Sequence, residues 1–347
     1  MQLEDRLYRA ADKLRGHVDA AAYKHVVLAL LFLRFVARGG TPLEAPRTLR
    51  LEPGSLDEAM DALERANPVL LGALPRGLDA VPRVDELLRL LDGAAFEGDA
   101  LGRAYEVLLG RFARAEGRRG GQFYTPRSVV KLLAALLGPV DGKRVYDPCC
   151  GSGGMFVHGA AGAAEVFGQE SNPLTWRLAR QNLALHGIDA DLGPSAADTF
   201  AQDHHPGRPA DVVLANPPFH QSDWGASRLR DDPRWRYGLP PEANANFAWL
   251  QHVLAHLAPG GAAAVVLSNS SLSATKAGEG AIRRAVAEDG WVDAVIALPP
   301  QLFFATPIPS CVWVLDRARP DTTLFVDARG LAVRADRQLQ RRVKAAL

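Results

Sequence analysis

The sequence predicts an α/β protein in which a mostly parallel sheet is preceded by an all-helical N-terminal domain, and three observations carry that reading. From Gly121 onward, short apolar runs alternate with helical intervals, the pattern of a sheet covered on both faces. The first of these runs leads into a glycine-rich turn, Cys149-Cys150-Gly151-Ser152-Gly153-Gly154, and another ends in Asn216-Pro217-Pro218-Phe219. Before Gly121 the apolar residues recur at helical spacing. With 347 residues, two domains are the natural division, placed at 1–120 and 121–347.

The elements follow in order. Leu3, Leu7, Ala10, Ala11 and Leu14 share one helical face. Tyr23 to Ala37 reads as a more buried helix stopped by Gly39-Gly40 and Pro42. Ser55-Leu56-Asp57-Glu58 has the form of a capping box opening the next helix. Val84 to Leu91 makes another, and Leu101, Tyr105, Leu108 and Phe112 mark one more that ends at Gly117. Thr125-Pro126 begins a helix reaching Gly138. Strands are then expected at Arg144–Asp147, Val166–Gln169, Asp211–Ala215, Ala262–Leu267, Val292–Ala297 and Val312–Leu315. Asn172–His186, Asn246–Leu257 and Gly280–Glu288 are the helical intervals between several of them.

Composition bounds the class. Hydrophobic content of 48% and charged content of 23% exclude a disordered chain. The cysteines are Cys149, Cys150 and Cys311; none has metal-ligand spacing, which reads as reduced thiols in the cytoplasm. The apolar run Val26 to Leu33 is too short to span a bilayer, and the start lacks the regions of a signal peptide. A net charge of +1 does not advertise strong independent nucleic-acid binding, which rests on phosphate neutralisation. Arg111, Arg114, Arg118 and Arg119 form the best local basic patch, with a solvated helix end as the equal alternative.

The chemistry sits at the strand ends. Two prolines after a buried strand hold their φ angles nearly fixed and leave carbonyl oxygens in rigid positions. Asn216 adds a side-chain acceptor and Phe219 a flat π face. Together, Asn216, Pro217, Pro218 and Phe219 suit a planar ring bearing an exocyclic NH2. Two acceptors on that NH2 favour a pyramidal nitrogen and localise its lone pair for attack on a methyl sulfonium. A plain proline turn is the bland alternative.

The glycine turn lets a ligand approach the backbone closely, and a following helix N-terminus favours a negative group. Its form differs from Gly-x-Gly-x-x-Gly, which disfavours a dinucleotide-dependent dehydrogenase. Glu170 closes the next strand-like run, about 20 residues past the turn, where an acid binds ribose hydroxyls. Asp198 and Phe200 would place a carboxylate and an aromatic near an adenine ring, or else belong to an ordinary polar loop. The ordered set fits S-adenosylmethionine with an amino-group acceptor, on the Rossmann-like fold of methyltransferases.

Gly121-Gln122-Phe123-Tyr124-Thr125-Pro126, Asp147 to Met155, Gly168-Gln169-Glu170-Ser171-Asn172, Asn216 to Phe219 and Asn244 to His252 resemble the modification subunit of type I restriction–modification systems. The opening segments Ala11 to Gly16 and Tyr23 to Leu28 share the likeness, which therefore covers nearly the whole chain. It implies an S-adenosylmethionine-dependent methyltransferase acting on N6 of adenine in double-stranded DNA. Phe123, Tyr124, Thr125 and Pro126 would close over the methionine end. Asp147, Gly151, Ser152, Gly153, Gly154 and Glu170 would line the cofactor, and Asp198 with Phe200 would hold its adenine. Phe247 would join Phe219 in stacking on the target base. The implied partners are a specificity subunit that reads the site and a restriction translocase subunit.

Such subunits continue into a helical tail beyond the point where this chain stops, and no inserted target-recognition segment is evident here, so site readout is expected from the separate subunit. Cytosine N4, an RNA amine and a protein glutamine remain rival acceptors, and a scaffold without catalysis remains the rival class. Asp203-His204-His205 reads as a surface loop, and His252 with His256 as helix-surface or packing residues, so no metal is expected. Trp224, Trp235 and Trp249 read as core. Ser268 and Ser270–Ser273 lack a nucleophile's partners.

Overall fold

A computed structural model describes residues 20–39, 41–47, 49–92, 107–108, 125–303, 308–317, 322–335 and 340–343. The helices are α1 (Ala20–Ala37), α2 (Leu56–Ala66), α3 (Val84–Asp92), α4 (Arg127–Leu137), α5 (Gly154–Gly159), α6 (Pro173–Leu185), α7 (Asn246–His256), α8 (Ser270–Ser273) and α9 (Glu279–Glu288). The strands are β1 (Arg144–Asp147), β2 (Glu165–Gly168), β3 (Ala190–Asp191), β4 (Ala210–Ala215), β5 (Leu257–Ser268), β6 (Val292–Ala297), β7 (Ser310–Asp316), β8 (Leu324–Asp327), β9 (Ala332–Ala335) and β10 (Gln340–Val343). By contacts the chain divides into Met1–Gly120 with Arg177–Asp189, and Gly121–Trp176 with Ala190–Leu347. The expected helices over Leu3–Leu14 and Leu101–Phe112, and the basic patch at Arg111–Arg119, lie outside the described residues apart from 107–108.

In the first unit, α1 carries an unbroken apolar run between His25 and Arg34, and every residue from Val26 to Leu33 is buried, as a stretch without a polar face requires. Leu56, Met60 and Leu63 of α2, Leu87 and Leu91 of α3, and Leu178 and Leu185 of α6 complete this core. The helix at Leu56 starts where the capping box places it, but the cap itself is different. Ser55 makes no side-chain bond to the helix end; its Oγ donates to the Glu52 carbonyl at 2.9 Å. Asp79 caps α2 instead, accepting from the backbone N–H of Gly54 at 2.8 Å, Leu56 at 3.1 Å and Asp57 at 3.0 Å. Burial acts to raise the Asp79 pKa, yet these three donors hold it below the ordinary value.

The second unit is built on an eight-stranded sheet of order β3-β2-β1-β4-β5-β7-β6-β8. Its pairs are parallel except where β7 runs antiparallel between β5 and β6. β1 and β6 match their expected bounds. β5 is longer than expected, starting at Leu257 directly after α7 and carrying a register shift opposite Ala210 to Val212. The short β3 and β8, and the β9–β10 hairpin, carry too few residues to show a period in sequence. Tyr146, Phe167, Val213, Leu250, Val265 and Trp313 lie in the core around the sheet. No helix among the described residues is long and apolar enough to cross a membrane.

Candidate active site

The strand order places two loops side by side. β1 is hydrogen-bonded to β2 on one side and β4 on the other, both parallel, so successive connections leave toward opposite edges and open a crevice at the carboxyl ends. Asp147 ends β1 and leads into the glycine turn; Glu170 lies just past β2; Asn216 follows β4 directly.

The turn needs its glycines. Gly151 and Gly153 have φ of 57° and 79°, a left-handed backbone that other residues adopt only with strain. A Cβ built on Gly151 or Gly154 would meet no atom within 4 Å, so the turn faces open room. The helix behind it, α5, has only six residues. The anticipated dipole contribution therefore gives way to the turn's own backbone groups. Glu170 organises them: Oε2 accepts from the Gly151 N–H at 3.1 Å and Oε1 from the Asn172 N–H at 2.7 Å. Asp147 is 1% exposed and accepts from the Cys149 N–H at 3.0 Å. Burial pushes Asp147 up to about 7 and raises Glu170 as well. A buried acid, Asp147, and a half-buried one, Glu170, beside a turn open to solvent form a cradle for a ligand carrying an ammonium and hydroxyls, which S-adenosylmethionine does.

Asn216 is buried, and its two amide atoms are treated differently. Nδ2 donates to Thr125 Oγ1 at 2.8 Å, whereas Oδ1 is buried with no hydrogen-bond partner among the described residues. A buried carbonyl left unpaired is costly and marks the place of a missing donor. Phe219 is largely buried, with Phe303 edge-on against it at 5.4 Å between centroids. Phe303 is not among the residues expected from sequence, although Leu298-Pro299-Pro300 ahead of it repeats the strand-end, Pro-Pro and aromatic order of Leu214 to Phe219. Both segments also bend through a left-handed non-glycine residue, His220 at 55° and Gln301 at 59°, the kind of strain that collects at functional sites.

Two expected contacts are corrected. Phe247 is 0% exposed and lies edge-on to Trp313 at 6.3 Å; it is a core residue with no ring face for a base. Phe200 is 1% exposed and packed against Trp224, Trp235 and Trp249 at 5.1, 6.2 and 4.3 Å, so its ring anchors a loop rather than walling an adenine. Its neighbour Asp198 is exposed, with Oδ1 accepting from the N–H groups of Phe200 and Ala201 at 2.8 and 3.0 Å. Ser152 lies in the turn between the two left-handed glycines, and Pro126 is the N-cap residue of α4. Phe123 and Tyr124 lie outside the described residues.

Asp203, His252 and His256 converge with ligand-like spacing, yet their atoms are already committed. His252 Nε2 lies 3.0 Å from the Tyr146 hydroxyl and Nδ1 3.1 Å from Arg234 Nη1. His256 Nδ1 bonds the His252 carbonyl at 2.9 Å, and Nε2 lies 3.0 Å from Asp203 Oδ2. Burial opposes it, but the His256 imidazole holds the Asp203 carboxyl well below its usual range. A guanidinium beside the cluster disfavours a cation, and both histidines serve packing. His205 departs from the expected surface loop: it is buried, bonded through Nε2 to the Gly168 carbonyl at 2.9 Å and packed on Phe167.

A parallel sheet with one antiparallel insertion, a glycine turn after β1 and an Asn-Pro-Pro-Phe loop after β4 define a methyltransferase for amino groups. The N-6 DNA Methylase family model matches residues 96–346, and that of the HsdM N-terminal domain matches residues 3–39. The methylase subunit of the type I restriction enzyme HindI from Haemophilus influenzae is 42% identical over 312 residues, covering 82% of this chain and 70% of its own. The MjaIX methylase subunit from Methanocaldococcus jannaschii is 32% identical over 410 residues, covering 95% and 73%. The crystal structure of a type I restriction-modification system methyltransferase subunit from Streptococcus thermophilus superposes with a TM-score of 0.79 at 29% identity, covering 99% and 90%. The chain belongs to the N-6 DNA methylase family, among the methylase subunits of type I restriction enzymes.

Proposed function

We propose that this chain transfers the methyl group of S-adenosylmethionine to N6 of adenine in double-stranded DNA, within a complex whose separate specificity subunit reads the site. The observation that carries this reading is the buried Oδ1 of Asn216, without a partner among the described residues and held in position through Nδ2 by Thr125. The target base leaves the duplex at a cost of roughly a few kcal/mol. Asn216 Oδ1 and a proline-loop carbonyl accept its two N–H groups and hold the nitrogen lone pair toward the methyl donor. Phe219 stacks on the ring once the Phe219–Phe303 contact opens. The cofactor, when bound, supplies an electrophilic methyl sulfonium. Asp147 and Glu170 receive its ammonium and hydroxyls, the glycine turn follows its backbone-facing side, and Thr125-Pro126 serves the methionine end. Asp198 faces the adenine end. The helical residues before Gly121 serve for docking and for clamping DNA, and a restriction translocase subunit joins the same assembly.

Mass spectrometry of nucleosides tests the assignment, using duplex DNA treated with the chain alone and with the co-expressed specificity subunit. N6-methyladenine is expected only with the subunit. Efficient site-specific transfer by the purified chain alone would refute the partner requirement. An RNA or protein mark without N6-methyladenine would reassign the acceptor.

The acids give a pH signature. Below about pH 7 Asp147 holds a proton that a cationic ligand has to displace; above it the carboxylate is ready. Cofactor affinity therefore rises as pH increases through 7, with proton release detectable by calorimetry in buffers of different ionisation enthalpy. Asp147→Asn flattens the profile, and an unchanged profile in that variant overturns the assignment. The sign for folding is opposite: the protonated carboxyl favours the fold at low pH, and this contribution is lost as pH rises through 7.

A further inference from the structure

Arg234 lies in the loop that follows Asn216–Phe219, and all five of its N–H donors are used. Nε and Nη2 clasp Asp232 Oδ1 and Oδ2 at 2.8 and 2.7 Å. Nη2 also donates to the Phe200 carbonyl at 2.7 Å, and Nη1 to the Thr199 carbonyl at 3.0 Å. The remaining donor meets His252 Nδ1 at 3.1 Å, so His252 carries its proton on Nε2, toward Tyr146. The pair is nearly sequestered, with side-chain exposures of 11% and 13% for Arg234 and Asp232.

The two carbonyls belong to the residues immediately after Asp198. Thr199 in turn donates its hydroxyl to the Pro148 carbonyl at 2.6 Å, at the start of the glycine turn. A continuous line of hydrogen bonds therefore runs from the acceptor-side loop, through Arg234 and Thr199, into the cofactor turn. Phe200, set among Trp224, Trp235 and Trp249, gives the same joint an apolar anchor. A lysine could not reproduce it, because the geometry uses the planar fork in two directions at once.

We infer that Arg234 is a positioning residue that sets the Asp198 and glycine-turn segments from the acceptor-side loop, and so couples DNA engagement to cofactor affinity. This rests on the proposed function, since it takes those two segments as the cofactor and base sides of one site. By linkage the coupling is reciprocal.

The test is calorimetric titration of S-adenosylmethionine into the complex with its specificity subunit, with and without duplex DNA, alongside thermal melting. Duplex tightens cofactor binding in the wild type. Arg234→Met weakens cofactor binding roughly tenfold, the scale of a lost charged hydrogen bond, and brings the ratio of the two dissociation constants toward one. Arg234→Lys restores part of both. If Arg234→Met does not fold, Asp232→Asn loosens the fork while keeping the cation and shifts the same ratio. A folded variant with wild-type dissociation constants in both conditions overturns the inference alone. A wild-type complex that binds no cofactor overturns the proposed function itself.

Discussion

Asn216→Ala is expected to lower methyl transfer by at least 10²- to 10³-fold, the scale of removing one pre-aimed hydrogen-bonding group from a reacting centre. Cofactor affinity stays near wild type, because the residues assigned to the cofactor come from the turn after β1, the end of β2, Thr125-Pro126 and Asp198 rather than from the loop after β4. Single-turnover transfer and cofactor titration separate the two effects. The expectation rests on Oδ1, which has no partner among the described residues: alanine removes the acceptor that the proposed mechanism assigns to the substrate amine. Loss of cofactor binding together with turnover would make Asn216 a structural residue and remove the central support of the proposed mechanism. Asn216→Asp is the informative companion. It keeps an acceptor oxygen but exchanges the donor that meets Thr125 for a second acceptor, so the Thr125 hydroxyl has to turn and donate instead, and the side chain now carries a charge beside the target amine.

Thr125→Val carries the second large effect. The substitution keeps the shape of the side chain but takes away the acceptor for Asn216 Nδ2 at 2.8 Å. A buried NH2 is then left unpaired, at a cost of roughly 1–3 kcal/mol. The amide regains a partner by turning, which swings Oδ1 away from the position where it meets the base. A fall in kcat of about 10- to 100-fold is expected from that range, with recovery in Thr125→Ser. Because Thr125 also lies at the proposed methionine end, KM for the cofactor has to be followed beside kcat. A change confined to KM would show that Thr125 acts on the cofactor and that the tether to Asn216 is idle.

The two residues in that tether are 91 positions apart, and this separation shows where sequence reading ends. Each is recognisable in sequence, one for the acceptor and one for the cofactor, because each lies in a motif of consecutive residues. Their bond was not legible, since nothing local to either segment encodes the other. Asp79 is a similar case. The helix start at Leu56 was readable from Ser55 to Glu58, but the group capping it arrives from 23 residues away, and Ser55 bonds its own preceding turn instead. Phe303 is less legible because Gln301 and Leu302 separate it from Pro299-Pro300, whereas Phe219 follows Pro217-Pro218 directly.

Phe200 and Phe247 show the complementary error. Resemblance and residue type placed both rings at the ligands, while burial assigns both to cores. An aromatic side chain is equally suited to stacking on a base and to filling a core, and only the direction of its neighbours tells the two apart. Arg234 lies between the charges Asp232 and Arg236, where sequence reads only a polar loop; its five bonds appear once the Phe200 loop is folded against it.

By itself, then, the sequence determined the sheet's main strands, the glycine turn and the Asn-Pro-Pro-Phe loop, because each depends on backbone constraints written in consecutive residues: glycine's freedom at positive φ, proline's fixed φ, and apolar runs of strand length. The tertiary structure alone decided which atom of Asn216 is free, which rings are buried, how two acids come to share a desolvated cradle, and how Arg234 joins the loops on its two sides. Those outcomes depend on hydrogen-bond partners and burial supplied by distant segments, and the folded chain is the first place where such segments meet.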